Sequence, residues 1–173
     1  MTLTLHQGYQ PGCIGKMVAL QVRYYSQTVG FGLQFETKIA RELCDFCEQY
    51  DSQRDGLWLA LLEGEIVGSI AIDGSHAAQD GAHLRWFIAS DAARGTGVGA
   101  ALLTCAMQWC KSRHYQRVYL WTFEGLGAAR HLYEKFGFRL THQQRGVQWG
   151  SEVNEQKFEL QIRDNLKEDL SQL

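Results

Sequence analysis

The stretch that most constrains this chain runs from His83 to Cys110, HLRWFIASDAARGTGVGAALLTCAMQWC. It opens with an apolar, aromatic segment that predicts a strand over 82–89, passes through a glycine-rich turn, and continues with helical apolar spacing. Glycines let the backbone approach a ligand closely, and a helix start offers unpaired N–H groups with partial positive charge. This order of elements therefore predicts an anion site, usually for a phosphate or pyrophosphate.

Two nucleotide-binding motifs also place a glycine-rich turn between a strand and a helix. A P-loop requires Gly-Lys-Ser or Gly-Lys-Thr, which does not follow here. A dinucleotide fingerprint fits Gly95, Gly97 and Ala100, with Glu124 near the place of a ribose-binding acid. However, an antiparallel hairpin is predicted before the turn, and too few residues follow Glu124 to complete the parallel sheet of such a domain.

Length and charge restrict the class of protein. A chain of 173 residues with a net charge of -2 and 45% hydrophobic residues is typical of one globular domain. Its basic residues are scattered, which disfavours nucleic acid as a partner. No apolar run approaches the roughly 20 residues of a membrane span, and no signal-peptide pattern is visible. We therefore expect a cytoplasmic protein that contacts neither membrane nor nucleic acid.

The five cysteines fit the same compartment. An odd number without a secretion signal indicates reduced thiols. Cys44 and Cys47 form a CxxC pair, but it lies in a helical pattern and lacks a second ligand pair at zinc spacing. We therefore predict that the cysteines are structural and that no metal is bound.

Apolar periodicity and turn residues predict one α/β domain with a mixed sheet. The predicted elements are a strand at 3–7, helices at 14–29 and 36–50, strands at 57–62, 65–73 and 82–89, a helix at 97–112, a strand at 117–122, a helix at 127–136, and strands at 138–144 and 153–162. The domain is assigned to residues 1–162, and residues 163–173 to a polar tail.

Two segments together resemble one family. Arg94–Gly99, RGTGVG, resembles the R/Q-x-x-G-x-G/A signature of the GNAT acyltransferases, and Ala128–Phe138, AARHLYEKFGF, resembles their late helix. The resemblance covers roughly residues 3–162. PGCIG at 11–15 and LWT at 120–122 further resemble the acetyltransferase domain found fused to MarR-type regulators. The implied fold is a central, mostly antiparallel mixed sheet flanked by helices.

The resemblance implies acetyl-CoA as co-substrate and assigns the residues that bind it. The strand before the turn would offer backbone groups to the pantetheine arm, and a bulge there commonly aims an N–H group at the thioester oxygen. The pyrophosphate would lie on the backbone of the turn. The implied cofactor-binding residues are Trp86, Phe87, Ile88, Arg94, Gly95, Thr96, Gly97, Val98 and Gly99.

Catalytic roles also follow from the resemblance. Tyr133 matches a tyrosine that in many family members protonates the leaving thiolate, although its helical spacing also fits a core aromatic. His83 occupies the place where several members carry a glutamate base, and Glu36, Glu124 or water are alternatives. Strand alternation predicts that His83, Arg85 and Phe87 share one face.

The expected activity is acetyl transfer from acetyl-CoA to a primary amine of a small molecule or peptide, by direct attack in a ternary complex. The alternative is a non-catalytic module of the same fold that binds or senses acyl-CoA. Acceptor specificity is expected from aromatic and polar residues in the first helices, the fifth strand and the final loop: Tyr24, Tyr25, Phe31, Trp121, Thr122 and Trp149. An open sheet edge in the final strands predicts a possible homodimer.

Overall fold

A seven-stranded mixed sheet carries helices on both faces. The computed structural model describes residues 2–162. Its strands are β1 (Leu3–Gln7), β2 (Gly56–Leu62), β3 (Glu65–Asp73), β4 (Ala82–Ala89), β5 (Arg117–Phe123), β6 (Arg139–Gly146) and β7 (Val153–Gln161). Its helices are α1 (Cys13–Val29), α2 (Leu33–Glu48), α3 (Ala77–Asp80), α4 (Val98–Ser112) and α5 (Gly127–Lys135).

The strands follow the order β1-β2-β3-β4-β5-β7-β6. Every neighbouring pair is antiparallel except β4 and β5, which run parallel. The prediction of a mixed, mostly antiparallel sheet is confirmed. Because β7 lies between β5 and β6, the final hairpin completes the sheet within the chain and leaves β6 at its edge. Pairing of that edge across a dimer stays a prediction.

Alternating side chains of the sheet build two apolar cores on its opposite faces. The first core packs α4 against the sheet, through residues such as Leu102, Ala106 and Ile70, which are fully buried. The second core packs α1 and α2 against the other face, through residues such as Met17 and Leu43. The central strands are therefore covered on both sides and hold their positions rigidly.

Most predicted elements are present, with small differences at their ends. The second helix begins at Leu33 rather than Glu36, because the carbonyl of Gly32 already accepts the Glu36 N–H at 3.1 Å. Leu33 is 77% exposed, so it does not belong to the apolar stripe from which the helix was predicted. The polar stretch before β4 contains the short helix α3, and Asp91–Ala93 forms a 3-10 turn.

A β-bulge interrupts the pairing of β3 with β4. Ser69 pairs with Ile88 and Ala71 with Arg85, so that Trp86 and Phe87 together face the single residue Ile70. Trp86 adopts a φ of 48°, which is uncommon for a non-glycine residue. The Ser69 hydroxyl donates a hydrogen bond of 2.8 Å to the Trp86 carbonyl and fixes this conformation.

The bulge changes which side chains share a face. Trp86 packs in the α1–α2 core and lies under the Arg85 guanidinium at 4.1 Å, whereas Phe87 packs against the α4 core. The prediction that His83, Arg85 and Phe87 share one face is therefore wrong. The extra residue of the bulge shifts the alternation, and Trp86 takes the place expected for Phe87.

β4 and β5 separate soon after they meet. Their register joins Ala82 to Val118 and His83 to Tyr119, and no further pair continues it within the described residues. The remaining halves of both strands diverge and leave a gap in the middle of the sheet. The bulge lies on the β4 side of this gap.

Among residues 2–162, no helix is both long and apolar enough to cross a membrane. The tail predicted at 163–173 lies outside the described residues.

Candidate active site

A cleft, here called the glycine-loop cleft, lies beside the turn that opens α4. Its floor is the end of β4, and its walls are the turn, α1 and α5. The cleft is lined by Tyr24, Tyr25, Phe87, Ile88, Ala89, Ser90, Asp91, Ala93, Arg94, Gly95, Gly97, Val98, Gly99, Ala100, Leu126, Ala128, Ala129 and Leu132. Seven of the nine predicted cofactor-binding residues therefore meet in one cleft.

The backbone of the turn is shaped to receive an anion. Gly95 and Gly97 have φ values of 77° and 76°, a region that favours glycine, and a Cβ at either position would meet open space. Gly97 is the N-cap residue of α4, and because it has no side chain it cannot accept a hydrogen bond from the first N–H groups of the helix. The N–H groups of Val98, Gly99 and Ala100 have no intrahelical partner, because the first helical hydrogen bond runs from the Ala101 N–H to the Gly97 carbonyl.

Two predicted cofactor residues lie outside the lining of the cleft. The Thr96 hydroxyl donates to the Ala93 carbonyl at 2.5 Å, and the Thr96 N–H donates to the same oxygen. The Arg94 N–H is likewise used, donating to the Asp91 carbonyl. Trp86 lines a different pocket. The turn thus offers fewer free N–H groups than its sequence implies.

An unpaired polar atom supports ligand binding in the cleft. The Ser90 hydroxyl is buried and has no hydrogen-bond partner among residues 2–162. Buried hydroxyls are nearly always paired, so the exception is typical of a group that meets a ligand. Arg94 also lines the cleft, where its side chain is 80% exposed and pairs with the equally exposed Asp91 at 2.7 Å. These residues fit the polar, phosphate-bearing arm of coenzyme A.

A second cavity, here called the central pocket, fills the gap between β4 and β5. It has a volume of about 180 Å³. That is smaller than the pockets of drug-sized ligands and suits a small molecule or one side chain. Its lining is aromatic and polar: Gln21, Tyr25, Phe35, Lys38, Ile39, Glu42, His83, Leu84, Arg85, Trp86, Phe87, Leu120, Trp121, Thr122, Phe123, Tyr133, Gln148 and Trp149.

The two cavities meet at shared walls. Tyr25 and Phe87 line both of them. Phe87 is also the second residue of the bulge, and its ring lies 5.8 Å from that of Tyr133. A molecule in the glycine-loop cleft and another in the central pocket therefore approach each other at the bulge.

Tyr133 is a buried aromatic residue that also lines the central pocket. It is 6% exposed and packs on Phe87, Phe138 and Phe158. Burial, and secondarily the nearby Tyr25, raises the pKa of the Tyr133 hydroxyl well above its usual range. The hydroxyl therefore keeps its proton at every physiological pH and serves as a hydrogen-bond donor.

His83 lines the central pocket. Its ring stacks on Tyr119 at 4.5 Å between centroids. Burial, reinforced by the charge of Arg85, lowers the pKa of His83 to about 3. A neutral imidazole with such a low pKa binds a proton weakly, so it is poorly suited to direct general-base catalysis near neutral pH.

The other two candidate bases lie away from the central pocket. Glu36 is exposed on α2, and Glu124 is exposed after β5, where it accepts a hydrogen bond of 3.3 Å from the Asn154 amide. The carboxylate that does line the central pocket is Glu42, which contacts both Lys38 and Arg85. The sequence does not indicate that Glu42 lines a pocket, because Glu42 occupies what looks like an ordinary exposed position of an amphipathic helix.

The low pKa of His83 makes a testable prediction for stability. The unfolded chain binds a proton at His83 near pH 6.5, while the folded protein resists it down to about 3. His83 therefore leaves stability unchanged above pH 6.5 and lowers it between pH 6.5 and 3, by at most about 1.4 kcal/mol per pH unit. Because phenylalanine keeps the stacking without the charge, His83→Phe should flatten this slope in urea unfolding at pH 7, 6 and 5. An equal slope in both proteins would contradict the burial of a neutral imidazole.

Several lining residues were not foreseen from the sequence. Of the six acceptor candidates, Tyr25, Trp121, Thr122 and Trp149 line the central pocket, Tyr24 lines the glycine-loop cleft, and Phe31 is buried in the α1–α2 core. The polar lining residues Gln21, Lys38, Glu42, Arg85 and Gln148 had no local signal, since only the packing of α1, α2 and the final loop brings them together.

The described residues contain no metal-binding cluster and no disulfide. No group of three or more His, Cys, Asp and Glu side chains between residues 2 and 162 is arranged to hold a metal ion. All five cysteines are free thiols; Cys13 and Cys110 are buried and Cys44 is exposed. None of them lines either cavity.

Solved structures of bacterial proteins share this fold. An acetyltransferase of the GNAT family from Staphylococcus aureus superposes with a TM-score of 0.75 at 16% identity, covering 94% of this chain and all of the other. YncA of Salmonella typhimurium, solved with its cofactor acetyl-CoA, gives a TM-score of 0.72 at 14% identity over 95% of this chain and 96% of that one. At such identities the likeness establishes the fold.

Sequence relatives agree with the fold. N-acetylaspartate synthetase of Xenopus tropicalis is 30% identical over 129 residues, which cover 73% of this chain and 47% of that protein. The human protein of the same name is 29% identical over 129 residues, covering 73% of this chain and 42% of its own length. This chain therefore spans about half the length of the curated relatives it matches. The narrower resemblance to domains fused to MarR-type regulators stays a prediction.

A match to a known protein family covers both motifs. Residues 17–138 match the acetyltransferase (GNAT) family, a range that contains the bulge, the glycine-rich turn and Tyr133. The match extends over well more than half of the chain. The chain belongs to the acetyltransferase (GNAT) family.

Proposed function

We propose that this chain transfers an acetyl group from acetyl-CoA to a primary amine of a small molecule. The observation that carries the proposal is the meeting of two cavities at Phe87 and Tyr25. One cavity has the anion-binding turn, and the other is small, polar and aromatic. Two substrates held side by side there would react in an effectively unimolecular step, which increases the rate of the reaction strongly.

The reaction needs no covalent enzyme intermediate. The amine nitrogen attacks the thioester carbonyl carbon, a C–N bond forms, and the C–S bond breaks. The sulfur leaves with the electron pair, and the nitrogen gives up a proton. No cysteine lines either cavity, which supports direct attack over transfer through a cysteine thioester.

The bulge in β4 supplies the main electrostatic contribution in this proposal. A bulged residue leaves the regular ladder, so its backbone N–H is free to face a ligand. Phe87 lies where the cavities meet, and its N–H is our candidate donor to the oxygen that becomes negative during attack. Removing one such donor from an enzyme typically costs a factor of about 10² to 10³ in turnover.

Tyr133 is our candidate donor to the departing sulfur. The hydroxyl stays protonated because burial raises its pKa. A thiol has a reference pKa near 8.5, so the thiolate leaves readily and the help required is small. Tyr133 therefore acts by a hydrogen bond rather than as a strong acid.

Removing this hydroxyl should lower turnover moderately. We expect Tyr133→Phe to reduce kcat by roughly tenfold, the value of one hydrogen bond, with little change in the Kd for acetyl-CoA. Phenylalanine keeps the packing on Phe138 and Phe158. Steady-state kinetics beside calorimetric binding measure both quantities, and an unchanged kcat would make Tyr133 a core aromatic only.

Water is our preferred acceptor of the amine proton. His83 is neutral and weakly basic, and Glu36 and Glu124 lie outside the central pocket. The lining of the central pocket includes the polar side chains of His83 and Glu42, which suit water molecules that carry the proton away. His83 remains a candidate relay through such water rather than a direct base.

The size of the central pocket and the curated relatives both favour a small acceptor. About 180 Å³ accommodates a molecule the size of an amino acid or one lysyl side chain. The relatives are named for an acetylated amino acid, N-acetylaspartate. L-aspartate therefore belongs in the first panel of acceptors, beside simple amines and a peptide with a free N-terminus.

An acceptor screen tests the proposal against the non-catalytic alternative. Release of free CoA thiol is followed with acetyl-CoA and each amine, while binding of acetyl-CoA is measured separately by calorimetry. Amine-dependent thiol release with an equal amount of acetylated amine supports an enzyme. Binding of acetyl-CoA without turnover over the whole panel would instead support a module that senses acyl-CoA.

A further inference from the structure

Gln21 of α1 carries an unpaired donor at the wall of the central pocket. The residue is 4% exposed, and its Nε2 is buried without a hydrogen-bond partner among residues 2–162. An amide N–H that gives up water and gains no partner is costly, so proteins rarely retain one in a core. Because Gln21 also lines the central pocket, a ligand there can supply the missing acceptor oxygen.

The charged groups of the pocket indicate which kind of oxygen fits. Lys38 and Arg85 line it together with one carboxylate, Glu42, which contacts both cations. The second partner of Arg85 is Asp73, at 3.4 Å, and Asp73 is absent from the lining. The described lining therefore has one more positive than negative side chain, which leaves Lys38 and Arg85 as groups that an anionic ligand would meet.

We infer that the acceptor amine carries a carboxylate, and that the Gln21 amide donates a hydrogen bond to it beside Lys38 and Arg85. This inference rests on the proposed function and names its substrate class. A cationic acceptor such as a polyamine would instead bring a second positive charge against Lys38 and Arg85, and would leave the Gln21 donor unpaired. The product would be an N-acetyl amino acid or a close analogue.

Four amines separate the contributions of the carboxylates. L-Aspartate has two, β-alanine lacks the α-carboxylate, L-alanine lacks the side-chain carboxylate, and ethylamine lacks both. We expect wild-type protein to show a higher kcat/KM for at least one carboxylated amine than for ethylamine. The order of β-alanine and L-alanine identifies which carboxylate is bound.

The decisive variant is Gln21→Met, which keeps the length of the side chain and removes the N–H. We expect the KM for the preferred carboxylated amine to rise about tenfold or more, the usual worth of a hydrogen bond to a charged group. The KM values for ethylamine and acetyl-CoA should stay the same. Because the lost donor is unpaired in the free protein, Tm should stay equal or rise. Gln27→Met, at an exposed position of the same helix, is the matched control.

The outcomes separate this inference from the proposed function. Equal kcat/KM for ethylamine and all carboxylated amines would overturn the inference and leave the acetyltransferase proposal intact. A Gln21→Met variant with lower Tm and uniformly poorer kinetics on every amine would also overturn it, because Gln21 would then be structural. If no amine is acetylated, the proposed function fails, and calorimetric binding of L-aspartate in the presence of CoA then tests the inference. Binding to Gln21→Met that is tenfold weaker than to the wild type supports it. Equal binding by the two proteins overturns it.

Discussion

Replacing Gly97 by valine should weaken the binding of acetyl-CoA while leaving a folded protein. Gly97 has a φ of 76° and a Cβ there would meet no protein atom within 4 Å, so the fold has room for the side chain. The cost is conformational, about 1–2 kcal/mol for a left-handed L-residue, and more for a β-branched one. The turn must relax from its anion-binding shape, and the isopropyl group enters the glycine-loop cleft.

We expect the Kd for acetyl-CoA to rise at least about tenfold, which corresponds to 1.4 kcal/mol. Gly8→Val is the matched control. Gly8 has a φ of 93° and an equally open Cβ position, but it follows β1 at the edge of the sheet, outside the glycine-loop cleft. Both variants should lose similar stability in urea unfolding. Equal affinity for acetyl-CoA in the two variants would contradict a role for the turn in binding.

Replacing Ser69 by alanine should lower turnover more than binding. The Ser69 side chain is fully buried, and its hydroxyl is bonded to the carbonyl of Trp86, the residue with positive φ in the bulge. Its loss leaves that carbonyl without this partner, at a cost of about 1–3 kcal/mol. The bulge then relaxes, and the Phe87 N–H, our candidate oxyanion donor, moves with it.

We expect Ser69→Ala to reduce kcat by roughly tenfold to a hundredfold. Complete removal of one oxyanion donor costs a factor of about 10² to 10³, and this variant only displaces the donor. The KM for acetyl-CoA should change little, because the turn is intact. Ser69→Thr restores a hydroxyl and should recover part of kcat. An Ser69→Ala variant that loses stability but keeps its kcat would show that the hydroxyl only supports the fold.

Local signals in the sequence were strong enough to predict the elements and the family. The strands at 3–7, 65–73 and 82–89 have the predicted bounds, since apolar runs and turn residues frame them. The two motifs at 94–99 and 128–138 are likewise local. Seven of nine predicted cofactor residues lie in the glycine-loop cleft because they belong to one short segment of the chain.

The acceptor side depends on long-range packing, which one sequence does not display. The bulge adds a residue to β4 opposite Ile70, and no residue type in the strand announces it. Its effect is to exchange the faces of Trp86 and Phe87. The burial that makes His83 a weak base comes from strands and helices that are far apart in the chain. The same is true of the central pocket, to whose lining Gln21 belongs.

In the proposed reaction, two substrates meet between β4 and β5 and react directly. Initial velocities measured over a grid of acetyl-CoA and acceptor concentrations test it most directly. Direct transfer in a ternary complex predicts double-reciprocal lines that intersect, with CoA release dependent on the amine. Parallel lines, with a burst of CoA release before any amine is added, would indicate an acyl-enzyme and contradict the account.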